Sequence, residues 1–224
     1  IFFIRKITGI NWKPKFKNLD KKMLRLLFAF TLMGIVSGFT SPTMQLIVRD
    51  RIINKLSLID AGCWQAVTRI SDYYLTFITS VLSVYYIPRL SEINTKAELR
   101  KEIIKGYKIV LPVVGALAFL IWLCKVWVVH ILFTADFLPM LPLFKYQLLG
   151  DFFKIGSLLL ALIMVAKALT KTYIITEILF STSFVVLSYF LMDRYGLIGT
   201  TYAFCINYAM YWLTMWFLMK KNFT

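Results

Sequence analysis

The chain has 224 residues, 59% of them hydrophobic and 17% charged, with a formal net charge of +15. An isolated fold of this length cannot hide that much apolar side chain from water, which excludes a soluble globular protein. The cations fall mainly between apolar runs, so the charge follows membrane topology and excludes nucleic acid as the natural partner.

Residues 1–23 form a basic segment. Ile1-Phe2-Phe3-Ile4 reads as the tail of a preceding helix, and Arg5, Lys6, Lys13, Lys15, Lys17, Lys21 and Lys22 follow. With no initiator Met and no signal-peptide pattern, the expectation is the downstream half of a longer protein, joined to it by a cytoplasmic linker. Trp12 and Phe16 suit the headgroup level, where the lysines meet anionic membrane lipids.

Six apolar stretches come next, near 24–48, 62–87, 107–132, 143–166, 172–192 and 197–219, and residues 220–224 close the chain as a short tail. Each stretch is about twenty residues or more, the length a helix needs to cross about 30 Å of hydrocarbon. The fold class is therefore all-α integral membrane, with six transmembrane helices. Arg89, Lys96, Arg100, Lys101, Lys105 and Lys108 lie between the second and third spans. Lys167 and Lys171 lie between the fourth and fifth, and Lys220 and Lys221 follow the sixth. The alternate connections hold only Arg49, Arg51, Lys55 and Arg194. Because Lys and Arg resist translocation, the rich side is cytoplasmic, and both ends of this segment face it.

Several local features follow. Pro42, after Gly34, Ser37 and Gly38, is a candidate kink and hinge in the first span. Lys96–Ile103 has the pattern of a short amphipathic helix on the inner leaflet. Gly196 and Gly199 suit a turn and a close helix contact at the start of the sixth span. Short connections predict that consecutive helices pack as antiparallel neighbours. Cys63, Cys124 and Cys205 sit in three separate spans and offer no disulfide framework, and a single His130 cannot build a metal site. No phosphate-binding glycine loop, nucleophile elbow or carboxylate pair of the soluble-enzyme kind is present, so the sequence offers no catalytic machinery and the expectation is that the chain is not an enzyme.

Charges inside hydrocarbon are costly and ask for a partner or a watery cavity. In the second span Gln65, Thr68, Asp72 and Thr76 make a polar stripe, with Arg69 three residues from Asp72. Spacing of i, i+3 predicts an Arg69–Asp72 pair and, in the fourth span, an Asp151–Lys154 pair. Lys154 lies about 16 Å from the outer end of its helix, near mid-membrane. Lys125 is placed to snorkel outward, and Glu177 to reach the inner interface. These pairs either lock helices together or line a cavity that holds an anion; spacing alone leaves both open. Trp64 and Tyr73 are candidates to stack on a sugar face or simply to pack.

Two segments carry a resemblance. Gly62-Cys63-Trp64-Gln65-Ala66-Val67-Thr68-Arg69-Ile70-Ser71, followed by Tyr85-Tyr86-Ile87-Pro88, resembles the corresponding helix of Wzx-type oligosaccharide flippases. These belong to the MOP (multidrug/oligosaccharidyl-lipid/polysaccharide) exporter superfamily. Leu132-Phe133-Thr134-Ala135-Asp136-Phe137, Gln147–Ile155 and Tyr195–Thr200 are similar to later parts of that family. The resemblance implies one six-helix lobe, the C-terminal one, of a two-lobed transporter whose N-terminal lobe is its partner. It implies an undecaprenyl-diphosphate-linked oligosaccharide as substrate, an O-antigen-type repeat unit moved from the cytoplasmic to the periplasmic leaflet of the bacterial inner membrane for lipopolysaccharide synthesis. On that basis Arg69 and Lys154 are the expected cationic contacts. Asp72, Asp151 and Gln65 are expected polar cavity residues, suited to H+ or Na+ coupling, with no other cofactor. Polysaccharide polymerase machinery is a further implied partner. An ion-coupled multidrug antiporter of the same superfamily and a non-transporting scaffold of a polysaccharide assembly complex are the alternatives.

Overall fold

The computed structural model describes residues 21–223; readings placed on residues 1–20 lie outside the described residues. The described residues are almost entirely helical, with no strand among them: α1 (Lys21–Lys55), α2 (Leu58–Val81), α3 (Ile87–Glu92), α4 (Lys96–Leu132), α5 (Leu143–Ala166), α6 (Thr170–Tyr195) and α7 (Ile198–Phe223). A π-helical turn at Leu82–Tyr86 joins α2 to α3, and a 3₁₀ turn at Ala135–Met140 precedes α5. Every apolar stretch read from the sequence is helical. Four helices (α1 from Met23, α4, α5 and α6) are long and apolar enough to cross a membrane. The other two expected spans, α2 and α7, have 24 and 26 residues and carry most of the polar side chains described below.

The boundaries have local causes. Ser57 caps α2, its Oγ accepting the backbone N–H of Asp60 at 3.0 Å, so only a two-residue turn separates α1 from α2. Thr95 caps α4 by accepting from the Glu98 N–H, and its hydroxyl donates to the Glu98 carboxylate at 2.8 Å. From that cap α4 runs 37 residues without interruption, passing through Pro112. The short amphipathic helix expected at 96–103 is thus the first turns of the third span itself, because nothing after the cap stops the helix. α1 likewise runs unbroken through Pro42, whose missing N–H removes one bond from the ladder. The π turn precedes Pro88, which likewise has no N–H to donate.

α5 is the buried centre: Ile155, Leu159, Ile163 and Met164 are wholly enclosed. It packs chiefly against α7 and α4, α7 packs against α6, and α6 against α1. Sequence neighbours α5 and α6 touch far less than α1 and α6 do, so the expectation of pairwise antiparallel neighbours holds only in part. The reason lies in side-chain size. At Gly150 a Cβ would strike the Phe204 ring and come within 3.2 Å of Cys205 Cα, so the missing side chain lets α7 approach α5. Trp212 of α7 donates to the Tyr107 hydroxyl of α4 at 2.9 Å, and that hydroxyl donates to the Gly156 carbonyl at 2.8 Å. Three helices are thereby tied together inside the bundle.

Gly196 closes α6 at φ +63°, ψ −147°, a conformation that excludes side-chained residues. Gly199 sits directly on the Leu191 carbonyl, which leaves no room for a Cβ. Both fit the turn and close contact expected there. Phe28, Phe39, Phe119, Trp127, Ile131, Phe190 and Phe217 project outward with most of their surface open, the arrangement of a bundle whose solvent is lipid.

Candidate functional site

α1, α2, α5, α6 and α7 form a ring, with α4 packed outside it against α5. The ring encloses a cavity of about 120 Å³. α2 contributes Trp64, Thr68 and Asp72, and α5 contributes Gln147 and Lys154. α6 adds Thr176, Glu177 and Ser181, α7 adds Asn207, Tyr208 and Tyr211, and α1 adds Gln45. The α2 stripe read from the sequence therefore faces inward at Thr68 and Asp72, while Thr76 at its end is exposed.

The charges pair differently from the sequence expectation. The Lys154 ammonium reaches across the cavity to Asp72, Nζ to Oδ1 at 3.8 Å, with both side chains about one-third exposed (30% and 37%). It also lies 5.8 Å from the Tyr208 ring centre and 5.9 Å from that of Phe204. Asp151 makes no ion pair with Lys154; it is wholly buried and accepts a hydrogen bond from the Tyr74 hydroxyl at 2.8 Å. Side chains three apart on a helix leave in directions about 60° apart. On buried α5 that difference sends Asp151 into the α2 wall and Lys154 into the cavity. The two intrahelical pairs are replaced by two cross-helix contacts, Asp72–Lys154 and Tyr74–Asp151, which both join α2 to α5.

Arg69 stands apart from Lys154. It lines a second compartment of about 210 Å³ with Gln65, Arg49, Pro42 and Leu46. Gln45, Trp64 and Thr68 line both compartments and stand between them. Trp64 is only 5% exposed, a wall between helices, whereas Tyr73 is 76% exposed and lines neither compartment.

Several residues of the site escaped the sequence reading. Glu177, placed at the inner interface by counting from the helix start, lines the cavity instead. Asn207 and Tyr208 sit among apolar neighbours with no charge to mark them. The recurrence of Phe204, Asn207, Tyr208 and Tyr211 at i, i+3, i+4 and i+7 was the available signal. Arg49 was counted only as an outer-loop cation. Lys125 lies on α4, outside the ring, with its ammonium 5.1 Å from the Trp122 ring centre. Among the described residues no group of three or more His, Cys, Asp or Glu could hold a metal ion.

Outside the cavity, the two ends of the bundle are fastened by ionic contacts. At the α1–α2 end Arg51 Nη2 meets Asp193 Oδ1 at 3.1 Å, and Lys55 contacts the same oxygen, joining α1 to α6. Lys55 first, with Arg51, holds the Asp193 carboxyl below the usual range. At the other end Lys167 donates to the Ser91 carbonyl at 3.2 Å and to that of Ile93, tying the α5 terminus to the end of α3.

No family model matches the chain. It is 34% identical over 192 residues to the lipid III flippase of Escherichia coli (strain K12) and, equally, to that of Shigella flexneri. Each alignment covers 86% of this chain and 46% of the relative, so the chain spans about half the length of the curated relatives it matches. A solved structure of a multidrug resistance MATE family transporter of the MOP superfamily, in an outward-facing conformation, shares the fold. The TM-score is 0.82 over 99% of this chain and 51% of that one, at 11% identity. By sequence this multi-pass membrane chain is similar to about half of the lipid III flippases, and it shares its fold with about half of a transporter of the MOP superfamily.

Proposed function

We propose that this chain is the C-terminal lobe of a flippase carrying an undecaprenyl-diphosphate-linked oligosaccharide from the cytoplasmic to the periplasmic leaflet of the bacterial inner membrane. The relatives named lipid III flippase support a lipid-linked substrate. The O-antigen-type repeat unit, and lipopolysaccharide as its destination, are our finer proposal. The observation that carries the reading is the cavity between α2, α5, α6 and α7, which gathers Thr68, Asp72, Gln147, Lys154, Glu177 and Asn207 inside a bundle whose outer face is apolar. Sugar hydroxyls entering hydrocarbon lose water with no replacement. Gln147, Asn207, Tyr208, Thr176 and the Asp72–Lys154 pair supply substitutes.

In this scheme the α1–α2 end is periplasmic and the Lys167 end cytoplasmic, following the cation distribution. The N-terminal lobe completes the cavity, and rocking of the lobes, with Pro42 as a weak point in α1, exposes it to each side in turn. Asp72, Asp151 and Glu177 are the groups on which H+ or Na+ would act. Polymerase machinery receives the product on the far side.

One observation favours a second reading. Two carboxylates, Asp72 and Glu177, face the cavity with a single ammonium, a balance that also suits an ion-coupled antiporter of cationic drugs. Expressing the full-length gene in a strain lacking its own flippase separates the two. The flippase reading expects surface polysaccharide to return with wild type and to fall at least several-fold with Lys154→Gln at equal membrane level. Lowered drug accumulation without returned polysaccharide would establish the antiporter instead.

A further inference from the structure

α4 and α7 both pack on α5 but barely on each other. Where they do meet, Trp212 donates to the Tyr107 hydroxyl, which donates to the Gly156 carbonyl. A Cβ at Gly156 would come within 2.8 Å of the Trp212 indole, so the bare backbone lets α7 close on α5 at that level. One helical turn nearer the Lys167 end, Ile103, Leu160 and Trp216 take the places of Tyr107, Gly156 and Trp212. There a groove of about 300 Å³ lies between α4 and α7. Ile103, Leu160 and Met219 are buried and form its floor, while Ile104 and Trp216 keep much of their surface open at its rims. Arg100 and Lys220 line it a further turn toward the helix ends, both exposed, and no acid is among the lining residues. Arg100 forms no ion pair among the described residues.

We propose that this groove binds an anionic phospholipid of the bilayer, with its phosphate on Arg100 and Lys220 and one acyl chain against Ile104, Leu160 and Trp216. In the orientation given above the lipid belongs to the cytoplasmic leaflet; the identity of the transported molecule does not enter. The groove repeats the order of chemistry along a lipid: cations at the helix ends, an indole one turn in, aliphatic side chains beside and beneath it. Its apolar floor alone would accept any acyl chain, so the charges do the selecting. A guanidinium fork donates two parallel hydrogen bonds to phosphate oxygens. A zwitterionic headgroup brings its own ammonium against both cations, whereas a net-negative one does not. α4 reaches the ring of helices chiefly through α5, and a lipid held here would join it to α7 as well.

The test places full-length protein in phosphatidylcholine vesicles in which a fixed minority of the lipid carries brominated acyl chains. The brominated lipid is phosphatidylglycerol in one series and phosphatidylcholine in the other. Bromine quenches an indole at close contact, and the difference between wild type and Trp216→Phe isolates the share from Trp216. The expectation is that phosphatidylglycerol quenches Trp216 as though it bound about fivefold or more tighter than phosphatidylcholine, the effect of one cation beside an anionic headgroup. The Arg100→Gln/Lys220→Gln double variant brings the two lipids to parity. Ile104→Glu, which sets a carboxylate on the exposed rim, does the same. All three positions are exposed, so these variants keep the fold. Lys108→Gln, on α4 but outside the groove, leaves the preference in place. Three results overturn the site: equal quenching by the two lipids in wild type, a preference that survives the double variant, or a preference lowered as much by Lys108→Gln as by Arg100→Gln, which marks diffuse surface charge. The flippase reading stands or falls separately. Returned polysaccharide without a lipid preference sinks the lipid site alone, and a lipid preference without returned polysaccharide sinks the flippase reading alone.

Discussion

Lys154 shows how one side chain joins two helices across the cavity. Its ammonium sits between Asp72 and two aromatic rings, so it is neither free to bind an anion at full strength nor neutralised within its own helix. A pair about one-third exposed contributes little to stability. We expect a double-mutant cycle with Asp72→Asn and Lys154→Gln to give a coupling on the order of 1 kcal/mol in thermal unfolding. Additive effects would show that the two groups do not interact. The sequence displayed all four charges, and the i, i+3 spacing suggested partners on the same helix. What decided the partners was the direction each side chain takes from buried α5, and that depends on which helix packs where. Glu177 was missed for the same reason: depth was countable from the helix start, but the face toward the cavity was not. Arg49 was visible only as a loop cation until α2 was placed beside it.

At the scale of helices, apolar length made all six long helices legible, four of them apolar enough to cross a membrane, while the neighbour relations were not. Those relations turn on small residues at contacts. Gly150 reads as an ordinary helical glycine, yet the α5–α7 contact is built on it. Gly150→Ala should push Phe204 and the α7 backbone away, costing roughly 1–3 kcal/mol as overpacking does. A lower midpoint of thermal unfolding in detergent would register it; an unchanged midpoint would show that α7 moves freely.

The α1–α6 lock through Asp193 carries a pH signature. A carboxyl held below its ordinary value contributes stability that is present above the unfolded-state value and is lost as pH falls through the folded one. Asp193→Asn should therefore lower the unfolding midpoint at pH 7, with the difference from wild type closing as pH falls below the ordinary carboxyl value. A difference that persists in strong acid would rule out the charged contacts with Lys55 and Arg51 as its source. The cationic partners themselves are visible in the sequence as loop residues, but only packing of α1 on α6 shows that Arg51 and Lys55 share one carboxylate while Arg49 has none.

For the whole molecule, the ring of five helices around a two-part cavity is the structural basis of the account. One part is polar and mixed in charge, suited to hydroxyls; the other is lined by Arg49 and Arg69 with no acid among its lining residues. This division was not legible in the sequence, which set Arg69 and Lys154 together as one cationic cavity. In the proposed scheme a second lobe supplies the facing wall, a reading supported by the half-length match to the lipid III flippases and to the transporter that shares the fold. The most direct test follows the lipid-linked precursor itself: its leaflet location, in a strain lacking its own flippase, with and without the full-length gene. The account predicts accumulation in the cytoplasmic leaflet without the gene and appearance in the periplasmic leaflet with it. A precursor that stays cytoplasmic with the protein present in the membrane at normal level, in glycan backgrounds that include an O-antigen-type unit and the substrate of the lipid III flippases, would contradict it.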